Sequence, residues 1–127
     1  MGMADDLRNR TKLFAIRIVK LFQSLPKTEE ARLIGRQLLR SGTGVASNYR
    51  AACRARSRAE FIAKLGIVVE EADESAFWLE FLVDTGILRK ERVQSLLQEA
   101  EELLRIFSSS RRTAKTKHSQ RKELQSL

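Results

Sequence analysis

The sequence predicts an all-α protein: an antiparallel up-down bundle of four helices with a disordered basic C-terminal tail. Three observations carry this. Apolar residues recur at the helical period through four stretches, and strand-like alternation is absent. The 127 residues contain one Pro and six Gly, few breakers for a chain of this length. Cap and turn signals stand where the stretches begin and end.

The first helix is expected over residues 5–25. Leu7, Phe14, Ile18, Leu21 and Leu25 form its apolar stripe, while Arg8, Arg10, Lys12, Arg17 and Lys20 lie mostly away from it. Pro26 ends the helix, because the residue before a proline is pushed out of helical geometry. Thr28 then has the form of an N-cap, followed by Glu29 and Glu30 where the helix dipole favours acids.

The second helix is expected from there to about Arg56, with Ala31, Ile34, Leu38, Val45, Tyr49 and Ala52 as its core stripe. The stripe keeps phase across Ser41-Gly42-Thr43-Gly44. An interior glycine costs up to about 1 kcal/mol against alanine. An unbroken phase nevertheless argues for one long helix whose glycines admit a close neighbour.

Ser57-Arg58-Ala59-Glu60 has the pattern of a capping box and opens the third helix, which Gly86 closes. Phe61, Ile62, Leu65, Val68, Val69, Ala72, Ala76, Leu79 and Val83 make its core stripe. The opposite side is not purely polar: Ala63, Ile67, Phe77, Trp78 and Phe81 share it with Glu70 and Glu74. A helix apolar on two sides has two neighbours, its own bundle and, by this reading, another subunit. Ile67, Phe77, Trp78 and Phe81 are therefore expected at a subunit interface, with Glu70 and Glu74 at its rim.

The fourth helix is expected from about Arg89 to Phe107, with Val93, Leu96, Leu97, Ala100, Leu103, Leu104 and Phe107 at heptad-like spacing. Ser108-Ser109-Ser110 interrupts that pattern. Residues 1–107 are thus read as the bundle. Residues 108–127, with six Lys/Arg, one acid and only Ala114, Leu124 and Leu127 apolar, are read as a disordered tail.

Length and an apolar content of 43% fit a single domain with a real core. A single cysteine permits no internal disulfide and suits a reducing, cytoplasmic setting. No signal-peptide pattern and no apolar run of membrane-spanning length is visible. The net charge of +8 points to nucleic acid, an anionic membrane or an acidic partner.

Arg32, Arg36, Arg40, Arg50, Arg54 and Arg58 fall within about 80° of one another on a continuous helix. They lie opposite the core stripe, with Thr43 and Ser47 on the same track. Guanidinium groups so spaced can follow a phosphate backbone without reading sequence. The alternatives are a solvated face or one half of an acid–base subunit contact. Glu70, Glu71, Asp73 and Glu74 cluster on the third helix, but a di-iron bundle needs Glu-x-x-His pairs and the one histidine, His118, lies in the tail. Gly42-Thr43-Gly44 lacks the glycines and the following lysine of a phosphate-cradling loop. Cys53 has no activating neighbour in view, and Tyr49 lies on the core stripe. With no nucleophile–base pair and no cofactor fingerprint, a non-enzymatic protein without cofactor or metal is expected.

The run Arg40-Ser41-Gly42-Thr43-Gly44-Val45-Ala46-Ser47-Asn48-Tyr49-Arg50 resembles the central motif of bacterial four-helix-bundle proteins of the 23S rRNA intervening-sequence protein family. Ser57-x-x-Glu60-Phe61-Ile62 and Glu71-Ala72-Asp73-Glu74-Ser75-Ala76-Phe77-Trp78-Leu79 share the resemblance, which covers about residues 10–107. It implies an up-down bundle assembled as a homopentameric ring. A related bundle, the accessory variability protein of diversity-generating retroelements, is a basic pentamer that binds a reverse transcriptase and nucleic acid. The family usually reads Asn-Tyr-Arg-Glu-Ala, whereas Ala51 stands here in place of the Glu. Two functions are therefore expected to compete: a homo-oligomer binding RNA or DNA through its arginines, or a ring that docks a protein partner such as a reverse transcriptase.

Overall fold

Four amphipathic stretches joined by turns too short to carry further structure can satisfy their apolar faces only on one another. The computed structural model, which describes residues 2–127, shows this arrangement. Helix α1 spans Met3–Gln23, α2 Glu29–Cys53, α3 Arg58–Asp84 and α4 Lys90–Ser126. Each helix packs along its sequence neighbours, and α1 meets α4 along a much thinner seam. Phe14, Ile18, Leu38, Val45, Leu65, Val68, Leu79, Leu82, Leu103 and Phe107 are fully buried at the centre.

The end signals act as the sequence suggests. Thr28 accepts from the Ala31 amide at 3.3 Å. Ser57 accepts from the Glu60 amide at 3.1 Å, while the Glu60 carboxylate reaches back to the Arg56 amide, one residue earlier than an ideal box. Gly86 has φ +76°, and the bonds from Gly86 N to Val83 O and from Ile87 N to Leu82 O close α3 as a Schellman motif.

Ser41 to Gly44 lie inside α2, as the unbroken phase predicts. The glycines set the helix spacing. A Cβ on Gly42 would stand 2.8 Å from Ile18 of α1, and one on Gly44 would stand 2.5 Å from the Glu71 carboxylate of α3. Between them the fully buried Ser41 and Ser75 join α2 to α3, Oγ to Oγ at 3.0 Å. Ser41 gives its one proton to the Leu38 carbonyl and accepts from Ser75, whose hydroxyl also lies 2.8 Å from the Glu71 carbonyl of its own helix. The thin α1–α4 seam is bridged by polar groups instead: Arg10 binds Glu99 through two nitrogens at 2.7 and 3.0 Å, Arg17 reaches Ser95, and Arg92 reaches Ser24.

Three expectations are corrected. The second helix ends at Cys53, not near Arg56, so Arg54 is its C-cap and Arg58 opens the third. The core face of α3 is rotated toward α2. Ser75 and Leu82 are buried, whereas Phe61, Ile62, Val69 and Val83 are only half-buried. The third correction is the largest: residues 108–127 are not a disordered tail, because α4 continues without a break to Ser126. Counting apolar residues misses what anchors this extension. Arg111 donates to the Ile62 carbonyl at 3.1 Å, in the space left by Gly66, and Ala114 is buried one turn further on.

Candidate nucleic-acid interface

The outward side of α2 meets the outward side of α1 in an open groove of about 740 Å³. Thr43, Ala46, Ser47, Arg50 and Arg54 line it from α2 and its cap, and Arg8, Asn9 and Lys12 from α1. Four of these side chains are cationic and none is acidic. Arg50 and Arg54 are one helical turn apart, as are Arg8 and Lys12, so the charges face each other in two rows. Arg8 also pairs with Asp5, one turn back on α1, an exposed contact that water and salt weaken. Arg50 and Arg54 lie on the predicted stripe; Arg8 and Lys12 do not, because a single-helix projection shows only one wall of a groove.

The rest of the stripe does not stay together. Arg32 and Arg36 stand near the other end of α2, around a cleft with Phe22, Pro26 and Lys27. Arg40 turns to α3, where it donates to Glu74 at 2.6 Å and stands 3.8 Å from Glu71. Arg58, on α3, faces a separate pocket of about 540 Å³ beyond the end of the groove, with Arg8, Phe61 and Arg121 among its other walls.

The residues expected at a subunit interface divide likewise. Ile67 and Phe77 are exposed, at 37% and 52%. Trp78 and Phe81 are half-buried and pack with Phe77 as an aromatic trio, with ring centroids 4.8 to 5.8 Å apart. Glu74 accepts from Arg40 and from the Trp78 indole, so it is engaged within the chain, while Glu70 remains exposed. Sequence reasoning missed a second set of exposed apolar residues, Leu13 and Ile16 on α1 and Leu33 on α2. Their signal was legible: none lies on a core stripe.

Electrostatics mark Glu71. Burial beneath Gly44 raises its carboxyl above the usual range, Arg40 opposes this, and Glu74 and Glu70 add to the rise. Burial likewise pushes the Tyr49 hydroxyl upward, with Cys53 beside it. Among the described residues, no three His, Cys, Asp or Glu side chains converge as metal ligands, and no helix is long and apolar enough to cross a membrane.

Residues 6–109 match the family of 23S rRNA-intervening sequence proteins. The fold is similar to the crystal structure of a protein of unknown function from the S23 ribosomal protein family of Bacteroides thetaiotaomicron. That similarity has a TM-score of 0.80 at 34% identity, over 86% of this chain and 97% of that one. No curated protein matches the chain.

Proposed function

This chain belongs to the 23S rRNA-intervening sequence protein family, and we propose that it is a non-enzymatic, homo-oligomeric bundle that holds RNA or DNA by the sugar–phosphate backbone. The observation that carries this is the α1–α2 groove, where Arg8, Lys12, Arg50 and Arg54 stand together without an acidic lining residue. Cations in two facing rows suit a string of phosphates, and grip of this kind gives affinity without sequence selection. Arg32 and Arg36 offer a second, separate cationic site near the other end of α2, and Arg40 serves the fold.

Self-association fits the large apolar side chains left exposed on three helices, Leu13 and Ile16 on α1, Leu33 on α2 and Ile67 and Phe77 on α3. Unlike surfaces that meet head to tail close into a ring when the rotation between copies closes, and five copies are the number the family resemblance favours. A cytoplasmic location suits the unpaired Cys53. The same exposed apolar side chains favour a second reading, a scaffold that docks a protein partner.

The test is the salt dependence of binding. Log affinity should fall linearly with log salt, by about 0.9 per phosphate neutralised on a duplex and about 0.7 on a single strand. Replacing Arg50 and Arg54 together with Gln should flatten that slope by up to about two. If wild type binds neither RNA nor DNA at low salt, the scaffold reading replaces this one.

A further inference from the structure

The cationic groove does not end at Arg8. That side chain is shared with the second pocket, whose other guanidiniums are Arg58 at the start of α3 and Arg121 on the extension of α4. Three separate helices thus bring one arginine each to a single opening. The rest of its wall differs from the groove. Ala4, Ala52 and Ala55 leave room for a flat group, and the half-buried Phe61 offers it an aromatic ring.

We propose that this pocket seats one unpaired nucleotide: its base stacks on Phe61, and Arg8, Arg58 and Arg121 hold the flanking phosphates. The proposal rests on the reading of the groove as a phosphate track and names the class of nucleic acid that track receives. The preferred ligand is a single strand, or a duplex with an unpaired end. A base inside a duplex has both faces occupied by its neighbours and cannot offer one to Phe61 without unstacking. A single strand presents the face freely, and stacking on an aromatic side chain tolerates any base. The α4 extension has a role in this arrangement. Its anchor at Arg111 and Ala114 carries Arg121 past the α2–α3 turn to the mouth of the pocket.

The test compares two probes by fluorescence anisotropy at one ionic strength, a dodecamer of oligouridylate and a blunt RNA duplex of equal length. Phe61→Leu keeps the position apolar, and Arg121→Gln changes an exposed side chain, so both should melt close to wild type. Wild type should favour the single strand. Phe61→Leu should weaken single-strand binding about tenfold and leave duplex binding unchanged. Arg121→Gln should weaken it too, and flatten the single-strand salt slope by about 0.7. The pocket assignment is overturned if wild type binds the duplex as tightly as the single strand, or if both variants keep full single-strand affinity. In either case Arg50→Gln with Arg54→Gln should still weaken binding of both probes and flatten their salt slopes, which separates failure of the pocket from failure of the groove. If wild type binds neither probe at low salt, both readings fall together.

Discussion

Arg40 of α2 is tied to Glu74 of α3, Nη2 to Oε1 at 2.6 Å, across the seam where Ser41 meets Ser75. The arginine in the middle of the stripe is therefore committed to the fold. Arg40→Gln should leave nucleic-acid affinity and its salt slope unchanged. It should destabilise the bundle by at most about 1 kcal/mol, since more than half of the Arg40 side chain is exposed and the pair is screened. Anisotropy and thermal melts on one preparation check both parts. A slope that flattens would return Arg40 to the binding surface.

Gly42 tests the spacing of α1 and α2. Alanine would favour the helix locally by up to about 1 kcal/mol. Its Cβ, however, would meet Cγ1, Cγ2 and Cβ of Ile18 at 2.8, 2.9 and 3.1 Å. Ile18 is fully buried and β-branched, so it has no free rotamer to take and the helices must part. Gly42→Ala should be net destabilising by about 1–3 kcal/mol in denaturant titrations. A variant more stable than wild type would show that propensity outweighs close approach here.

Two truncations locate the true end of the bundle. Ending the chain after Phe107 removes the Arg111 bond to Ile62 and uncovers the site that buries Ala114. This should cost about 1–2 kcal/mol, read as a lower melting temperature. Ending it after Lys117 keeps both contacts and should melt like wild type. Equal melting of the two would mean that the anchor contributes nothing to stability.

The bundle was legible because its information is periodic. The stripes through Phe14, Leu38 and Leu103 repeat at the helical period, and Thr28, Ser57 and Gly86 mark ends by local chemistry that needs no partner. The α4 extension was not legible, because its hold is one guanidinium over one glycine and one buried alanine, too little apolar surface to mark a stripe. The groove was half legible. Arg50 and Arg54 follow from the projection of α2, but Arg8 and Lys12 join them only once α1 is docked, and Arg40 leaves them for Glu74. Which cation faces a ligand and which faces a carboxylate is settled between helices, at distances a single-helix pattern does not contain.

Glu71 predicts a pH dependence. Burial raises its folded-state carboxyl above the unfolded value, so between the two the native state binds more protons than the unfolded one. Its contribution to stability is then greatest below the ordinary carboxylate range and declines as pH rises through the raised value. Glu71→Gln removes this titration. Relative to wild type, the variant should gain melting temperature as pH is raised from 4 to 7. A difference constant over that range would mean that Arg40 fully offsets the burial of the carboxylate.

Phe77 tests assembly with the least risk to the fold. It is more than half exposed, whereas Trp78 beside it packs against the core and gives its indole N–H to Glu74. A charge at Trp78 would disturb the monomer as well as any contact between subunits; a charge at Phe77 gives up ring contacts with Trp78 and Phe81 but stays in water unless another chain covers it. In a ring the same substitution would bury an unpaired carboxylate at every interface, which is strongly destabilising. Light scattering on wild type should give about five times the 14.5 kDa chain mass, and Phe77→Glu should give a folded monomer with unchanged helicity. A wild type that is already monomeric at micromolar concentration would remove the ring. A Phe77→Glu variant that keeps the assembled mass would place the interface elsewhere, with Leu13, Ile16 and Leu33 the next surface to charge.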